Sequence, residues 1–129
     1  MQKQFNLEER QDTLPPEANE SSAPTIQLVN KLIEEAIEAG ASDVHIEPWE
    51  GEVTIRYRVD GDLRLVSRLR PQRLINPIVA RIKIISNLNI TEKRLPQDGR
   101  IRFRDDVDLR VATSPMSWGE KVVMRLLIK

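Results

Sequence analysis

Arginines occupy the polar positions of three short segments in which apolar and polar residues alternate. They are Arg56 and Arg58, then Arg100, Arg102 and Arg104, then Arg110. Because alternate side chains of an extended strand point to the same face, this spacing predicts several guanidinium groups on a common face of a sheet. Guanidinium groups form paired hydrogen bonds with carboxylates and phosphates. The predicted face therefore suits an acidic protein surface, the phosphates of a nucleotide held elsewhere, or nucleic acid, although most strand arginines pair with nearby acids.

The charge of the chain is distributed unequally along its length. The 129 residues contain 20 lysines and arginines and 20 aspartates and glutamates, so the formal net charge is zero. Residues 51–129 nevertheless carry 17 basic and nine acidic side chains, and 13 of these basic residues are arginines. The excess of acids lies in residues 1–50. The cationic face is therefore predicted to belong to the second part of the chain.

His45 is the only histidine, and it alternates with Asp43 and Glu47. Along a strand these three side chains spread over about 13 Å, which is too far for all of them to reach one metal ion. We therefore predict a structural polar face here and no metal site. The sequence also lacks a serine in a glycine-flanked turn that would form a catalytic triad with this histidine.

The glycines of this sequence do not form a phosphate-binding loop. None of the five begins the pattern G-x-x-x-x-G-K-[ST] or G-x-G-x-x-G. We therefore predict that this chain by itself is not an enzyme and holds no cofactor of its own.

Cysteine content and hydropathy predict a cytoplasmic location. The chain has no cysteine, which excludes disulfides and is compatible with a reducing compartment. No apolar run approaches the roughly 18–20 residues of a membrane span, and the N-terminus has no secretory signal pattern.

Residues 1–24 are polar, contain three prolines and have no apolar period, which predicts a flexible linker. From a cap at Thr25, apolar residues recur at helical spacing as far as Gly40, whose tolerance of left-handed backbone ends the helix. A second helix is predicted between Gln72 and Asn87, with its regular part beginning at Pro77 and Asn76 as its cap. The stretch Leu88–Arg94 is ambiguous and is compatible with one short helical turn.

Alternation of apolar and polar residues predicts strands at 43–47 and 53–59, and Asp60-Gly61 is a hairpin-turn signal after which Leu63 and Leu65 continue on the return strand. Pro96-Gln97-Asp98-Gly99 is predicted to form a turn.

Two further strands follow that turn and meet at Asp105-Asp106, and the last strand runs from Lys121 to Ile128. Apolar residues on both faces of the last strand predict a central or covered position. The whole pattern predicts an α+β domain over residues 25–129, with an antiparallel sheet of about six strands and two main helices packed on one face.

Several strings resemble the type II secretion and type IV pilus assembly ATPases. They are ASDVHIEP at 41–48, IRYRVDG at 55–61, RIK at 81–83, EKRLPQDGR at 92–100 and GEKVVMRLL at 119–127. The similarity covers about residues 25–129 in the order of the family. It corresponds to the domain immediately before the RecA-like ATPase core, which is expected to follow.

The resemblance implies a PAS-like fold for this domain. It also implies that the full-length proteins are hexameric cytoplasmic ATPases, peripheral at the inner membrane, which use ATP and Mg²⁺ and work with secretion or pilus platform proteins of that membrane. The domain itself would be non-catalytic and would pack on the ATPase cores of its own and the neighbouring subunit, clamping over bound nucleotide. Without those cores we expect this chain to be monomeric.

The resemblance further implies that Arg100 in QDGR and Arg110 in VDLRV lie near the ATP phosphates, where a guanidinium neutralises charge that develops during phosphoryl transfer. For Arg94, Arg102 and Arg104 we predict pairing with acids instead.

Two other functions are open at this point. The first is a freestanding PAS-like module that senses or binds a ligand, which would need polar groups inside a cavity; the alternating Ile, Val and Leu residues do not indicate any. The second is a nucleic-acid-binding domain that uses the arginine face. Because Tyr57 and Phe103 are predicted to point inward, few aromatic rings remain for base stacking, and we expect no nucleic-acid partner.

Overall fold

In the computed structural model, which describes residues 8–129, a seven-stranded sheet carries two helices on one face. The elements are β1 (Arg10–Gln11), α1 (Ala23–Glu38), β2 (Asp43–Trp49), β3 (Glu52–Val59), β4 (Asp62–Leu69), a 3-10 turn (Gln72–Leu74), α2 (Ile75–Ile85), β5 (Gln97–Arg104), β6 (Val107–Met116) and β7 (Gly119–Ile128). The predicted α+β class and the two helices are confirmed, and the sheet has seven strands rather than about six. Within the described range, no helix has the length and apolar character that crossing a bilayer requires.

The strand order in the sheet is β1-β4-β3-β2-β7-β6-β5. The pairing of β1 with β4 is parallel, and the other five pairings are antiparallel. The last strand, β7, therefore pairs with β2 on one side and with β6 on the other. This arrangement confirms the central position that was predicted from the apolar residues on both faces of β7.

The core lies between the helices and one face of the sheet. The residues of β2, β3 and β7 that point toward the helices are buried; they include Val44, Ile46, Val53, Ile55, Tyr57, Val122 and Met124. The hydroxyl of Tyr57 lies 2.9 Å from the carbonyl oxygen of Leu32 and 2.8 Å from Oε1 of Glu35, both on α1. Burial and the nearby Glu35 raise the pKa of Tyr57. Its proton is therefore retained, and the hydroxyl fastens the helix to the sheet.

Helix α1 begins at Ala23, and its N-cap lies three residues before the predicted one. Ser22 is its N-cap residue and Pro24 lies in its first turn. Thr25, the predicted cap, belongs to the helix itself, and its side chain is buried in the domain. The prediction was wrong because a proline is well tolerated in a first turn, where backbone N–H groups have no partner within the helix. At the other end, Gly40 has a φ of +71°, which confirms it as the residue that ends the helix.

Part of the predicted linker is packed against the domain. Arg10–Gln11 form β1, and the Asp12 carboxylate accepts hydrogen bonds from Ser67 Oγ at 2.6 Å and Lys31 Nζ at 3.1 Å. Burial alone would raise the pKa of Asp12, but these hydrogen bonds outweigh it and lower the pKa. Leu14 is buried in the core. The prediction of a flexible linker is wrong for this segment, because polar contacts and a single leucine attach it to the domain. Contacts of this kind do not produce an apolar period in the sequence. Residues 1–7 lie outside the described residues.

Strand β4 contains a bulge that changes which residues face the core. Adjacent residues of β3 pair with Ser67 and Leu65, so that Val66 is the additional residue. Val66 is buried, whereas Leu63 and Leu65 are half-buried and lie opposite arginines of β3. The predicted return strand with Leu63 and Leu65 is present, and the bulge places these two leucines on the arginine face, because one inserted residue exchanges the two faces of a strand.

The region between β4 and β5 also differs from the prediction. Helix α2 begins at Ile75, directly after the 3-10 turn, and Pro77 lies in its first turn, so Asn76 is not a cap. The segment Leu88–Arg94 contains no helix, and residues 97–99 belong to β5 rather than to a turn.

A buried ion pair joins α2 to β7. The Lys83 side chain is 1% exposed, and its Nζ lies 2.7 Å from Oε2 of Glu120. The same Nζ donates a hydrogen bond of 2.6 Å to the carbonyl oxygen of Glu92, in the segment before β5. One buried ammonium group therefore connects three parts of the chain.

Replacing Lys83 by methionine is expected to lower the free energy of unfolding by about 3–5 kcal/mol, because it leaves the Glu120 carboxylate buried without its counter-ion. The double variant Lys83→Met/Glu120→Leu is expected to recover most of that loss, since an apolar pair has no charge to desolvate. Urea unfolding measures both, with Lys93→Met, on an exposed lysine, as the control. A single variant as stable as the double variant would contradict this account.

Candidate anion-binding site

The sheet face opposite the helices is open, and one row of charged side chains crosses it. Reading from β3 to β5, the residues directly opposite one another are Arg58, Asp43, Arg125, Arg110 and Arg100. Directly opposite residues of antiparallel strands have Cβ atoms about 4.5–5.5 Å apart, so neighbours in this charged row are within reach of each other. The structure confirms a common face for the predicted arginines other than Arg104, which a register shift in β5 pairs with the buried Val107. The strand register decides which of the others are neighbours.

Asp43 neutralises only one half of the charged row. Its carboxylate lies 3.5 Å from Nε of Arg58 and 3.4 Å from Nε of Arg125. Arg110 and Arg100, the two predicted site residues, are exposed and directly opposite each other. Within residues 8–129, neither of these two arginines forms an ion pair or a side-chain hydrogen bond. The two guanidinium groups are therefore available to an anion from outside the chain.

The other arginines near the row are paired with acids. Asp108, two residues before Arg110 on β6, lies 3.8 Å from Nε of Arg102 and 3.2 Å from Nζ of Lys129. Arg104 pairs with Asp106 at 3.5 Å, and Arg94 pairs with Glu92 at 3.7 Å. The prediction of acid pairing for Arg94, Arg102 and Arg104 is confirmed.

A shallow groove of about 590 Å³ runs beside the charged row. Its lining includes Arg100, Arg110 and Arg125 together with the small apolar side chains of Ala112 and Val123. Two aspartates, at positions 43 and 98, also border it. Three guanidinium groups against two carboxylates make the groove cationic, and the Ala112 side of the groove offers little steric hindrance to a ligand.

Gly99 determines how closely the strand bearing Arg100 approaches the rest of the domain. A Cβ atom on Gly99 would lie 2.7 Å from the carbonyl oxygen of Ser86 and 2.9 Å from Cδ2 of Leu88. Both distances are too short for a carbon contact, so β5 can pack here only through a glycine. The predicted turn at Pro96–Gly99 is therefore wrong for a physical reason: this glycine is needed for close packing, not for a turn.

The segment before β5 is held by side-chain hydrogen bonds. Nε2 of Gln97 donates to the backbone carbonyl oxygen of Asn89 at 2.9 Å, and the backbone N–H of Asn89 donates to Oε1 of Gln97 at 2.9 Å. With the contact from Lys83 to Glu92, these bonds anchor the chain that leads to Arg100. The groove therefore has a rigid border on the β5 side.

His45 lies on the open face beside the charged row, opposite Arg56 and Val123. Burial lowers the pKa of His45, and the nearby Glu47 only partly offsets this effect. Asp43 and Glu47 both contact arginines, and no group of three or more possible metal ligands was found among residues 8–129. At neutral pH the histidine is therefore uncharged, and the arginines determine the charge of this face.

Two members of the charged row, Arg125 and Asp43, were not predicted as site residues from the sequence. Arg125 alternates with Lys121 and Val123, which does indicate one common face. The apolar residues on both faces of β7 obscured this signal. Asp43 was considered only as a metal ligand, because its neighbours on β3 and β7 are not visible in the local sequence.

Comparison with known proteins supports the resemblance. The family described as Type II/IV secretion system protein matches residues 18–129. The chain belongs to this family. The chain is 53% identical over 110 residues to Type II secretion system protein E of Xanthomonas campestris pv. campestris. The aligned region covers 83% of this chain and 19% of that relative. The chain is 46% identical over 132 residues to the type IV pilus assembly ATPase PilB of Thermus thermophilus, which covers 98% of the chain and 14% of that relative.

Family membership confirms the resemblance inferred from the motifs, and the chain spans only 14–25% of the length of such relatives. Among solved structures, the pilus retraction motor PilT with bound ADP has a similar fold, with a TM-score of 0.56 and 20% sequence identity. That similarity covers 74% of this chain and 28% of the PilT chain.

The lowered pKa of His45 predicts a pH dependence of stability. In the unfolded chain the imidazole binds a proton as the pH falls through its ordinary pKa of 6.5, whereas in the folded chain it does so only at lower pH. The free energy of unfolding is therefore expected to decrease as the pH falls below about 6.5. Urea unfolding of the natural chain and of His45→Gln over this range measures the effect. An equal pH dependence in the two proteins would show that His45 makes no contribution.

Proposed function

We propose that this chain is the non-catalytic N-terminal domain of an ATPase of type II secretion or type IV pilus assembly. In this proposal the domain has a PAS-like fold, packs on the ATPase cores of its own and the neighbouring subunit, and presents Arg100 and Arg110 to the phosphates of ATP. Membership of the family supports it, as does the name of a relative from Vibrio cholerae, Type II secretion system ATPase E, which is 52% identical over 115 residues. The chain covers 22% of that relative, so hydrolysis would belong to the remainder of the protein.

One observation supports the assignment of Arg100 and Arg110 more than any other. These two exposed arginines face each other across β5 and β6 without an acidic partner in the described part of the chain. Like charges directly opposite each other destabilise a sheet. An anion bound between the two guanidinium groups would remove that repulsion, and phosphate oxygens match the geometry of guanidinium donors.

The chemistry that these arginines can supply is electrostatic. A guanidinium group carries a fixed positive charge and holds a phosphoryl group through two N–H donors. Placed at the γ-phosphate, it stabilises the negative charge that develops as the phosphoryl group is transferred. The donor set fits the triphosphate of a Mg·ATP complex rather than its magnesium ion, which carboxylate and hydroxyl oxygens hold.

Replacing Arg100 or Arg110 by alanine in a longer protein that includes the ATPase core is expected to lower ATP turnover at least about tenfold, because the transition-state charge loses a partner. Arg102→Ala is the matched control, since Arg102 lies on the same strand and is paired with Asp108. The melting temperature of the 129-residue chain should be nearly unchanged in all three variants. Turnover at the natural level in both test variants would refute the phosphate contact.

The chain alone is expected to show no ATP hydrolysis, because its sequence contains no G-x-x-x-x-G-K-[ST] loop. Release of inorganic phosphate from ATP measures this, with a mock purification as the control. Hydrolysis that follows the purified chain and is absent from the mock preparation would contradict the non-catalytic assignment.

A further inference from the structure

Arg125 occupies the position between the neutralised half of the charged row and the free half. It is directly opposite Asp43 on one side and directly opposite Arg110 on the other. Within residues 8–129 its only polar side-chain contact is the one to Asp43, at 3.4 Å, and its side chain is 69% exposed. Arg125 also lines the groove that Arg100 and Arg110 border. A long, exposed side chain with one weak contact can reorient toward the groove without disturbing the core.

Asp43, in contrast, is fixed in place. Its side chain is 9% exposed, and Oδ2 accepts a hydrogen bond of 2.7 Å from the hydroxyl of Ser42. The same oxygen lies 3.5 Å from Arg58, whose Nη1 also donates to the carbonyl oxygen of Gly61 at 2.9 Å. If the contact between Asp43 and Arg125 opens, Arg125 is therefore the partner that moves, and Asp43 keeps Arg58 as its counter-ion.

We propose that Arg125 is a third phosphate-binding arginine of the groove, and that Asp43 is the counter-ion from which Arg125 is released when a polyphosphate binds. The proposal rests on the proposed function, because it uses the same groove as Arg100 and Arg110. It adds one binding residue and one residue that limits which anions bind.

The ligand class follows from distance and charge. Strands β7, β6 and β5 are consecutive in the sheet, so about 9.5 Å separates the two outer strands. Three arginines spread over that distance suit a chain of linked phosphates better than a single phosphate group. A polyphosphate also carries enough negative charge to replace the Asp43 carboxylate as the partner of Arg125, whereas orthophosphate has to compete with it. Asp43 therefore favours polyphosphate over orthophosphate.

The test is a titration of the 129-residue chain with tripolyphosphate and, separately, with orthophosphate at low ionic strength, followed through the arginine Nε–Hε resonances. In the natural chain, tripolyphosphate is expected to shift the Arg125 resonance together with those of Arg100 and Arg110. Arg125→Gln is expected to weaken tripolyphosphate binding about two- to fivefold, the range of a single exposed charge contact. Asp43→Asn is expected to tighten binding by a similar factor and to reduce the preference for tripolyphosphate over orthophosphate.

Arg102→Gln is the matched control, because it removes one positive charge from the same face while leaving the groove intact. Arg125→Gln is informative even if Asp43→Asn is poorly folded, since Arg125 is largely exposed. Equal weakening by Arg125→Gln and Arg102→Gln, or an Arg125 resonance that does not move at saturation, would overturn the inference.

The outcomes also separate this inference from the proposed function. If Arg100→Gln and Arg110→Gln weaken tripolyphosphate binding while Arg125→Gln does not, only the role of Arg125 is wrong. If tripolyphosphate shifts none of the three arginine resonances at tens of millimolar, the groove is not a phosphate site, and the phosphate contact in the proposed function fails with it.

Discussion

The position of β7 between β2 and β6 is the constraint on which the rest of this structure depends. Its inward side chains, Val122 and Met124, complete the core beneath the helices. Its outward Arg125 stands between Asp43 and Arg110 in the charged row. Because a shift of one residue would exchange the two faces of the strand, the pairing register that buries Met124 also places Arg125 on the open face.

The two faces of the sheet perform separate tasks. The face toward the helices is apolar apart from a few polar groups, such as Glu120, which pairs with Lys83 on α2, and it supplies the burial that stabilises the domain. The open face places arginines directly opposite one another, which stability alone would not favour. Local violations of this kind are typical of functional sites. Since the arginines lie outside the core, their charges can be used for binding without loss of the fold.

Much of the fold could be predicted because local patterns act on local structure. The alternation over residues 53–59 and the turn at Asp60-Gly61 are both present as predicted. The failures occurred where one residue type has two uses. Pro24 was assigned to the linker and Pro77 to the start of the regular helix, yet both lie in first turns, where a missing N–H has no cost. Gly99 was taken as a turn residue, yet its role is close packing against the chain after α2.

The α+β class, the polar and apolar faces of most strands, and the family could be predicted before the fold was known, since each depends on spacing or motifs along the chain. The sequence also singled out Arg100 and Arg110, through the resemblance. The folded chain was needed to show that these two face each other, that Arg125 lies beside Arg110, and that Asp43 is the counter-ion of both Arg58 and Arg125. The physical reason is that cross-strand register depends on pairing between distant segments: Asp43 and Arg125 are in contact although they are 82 residues apart.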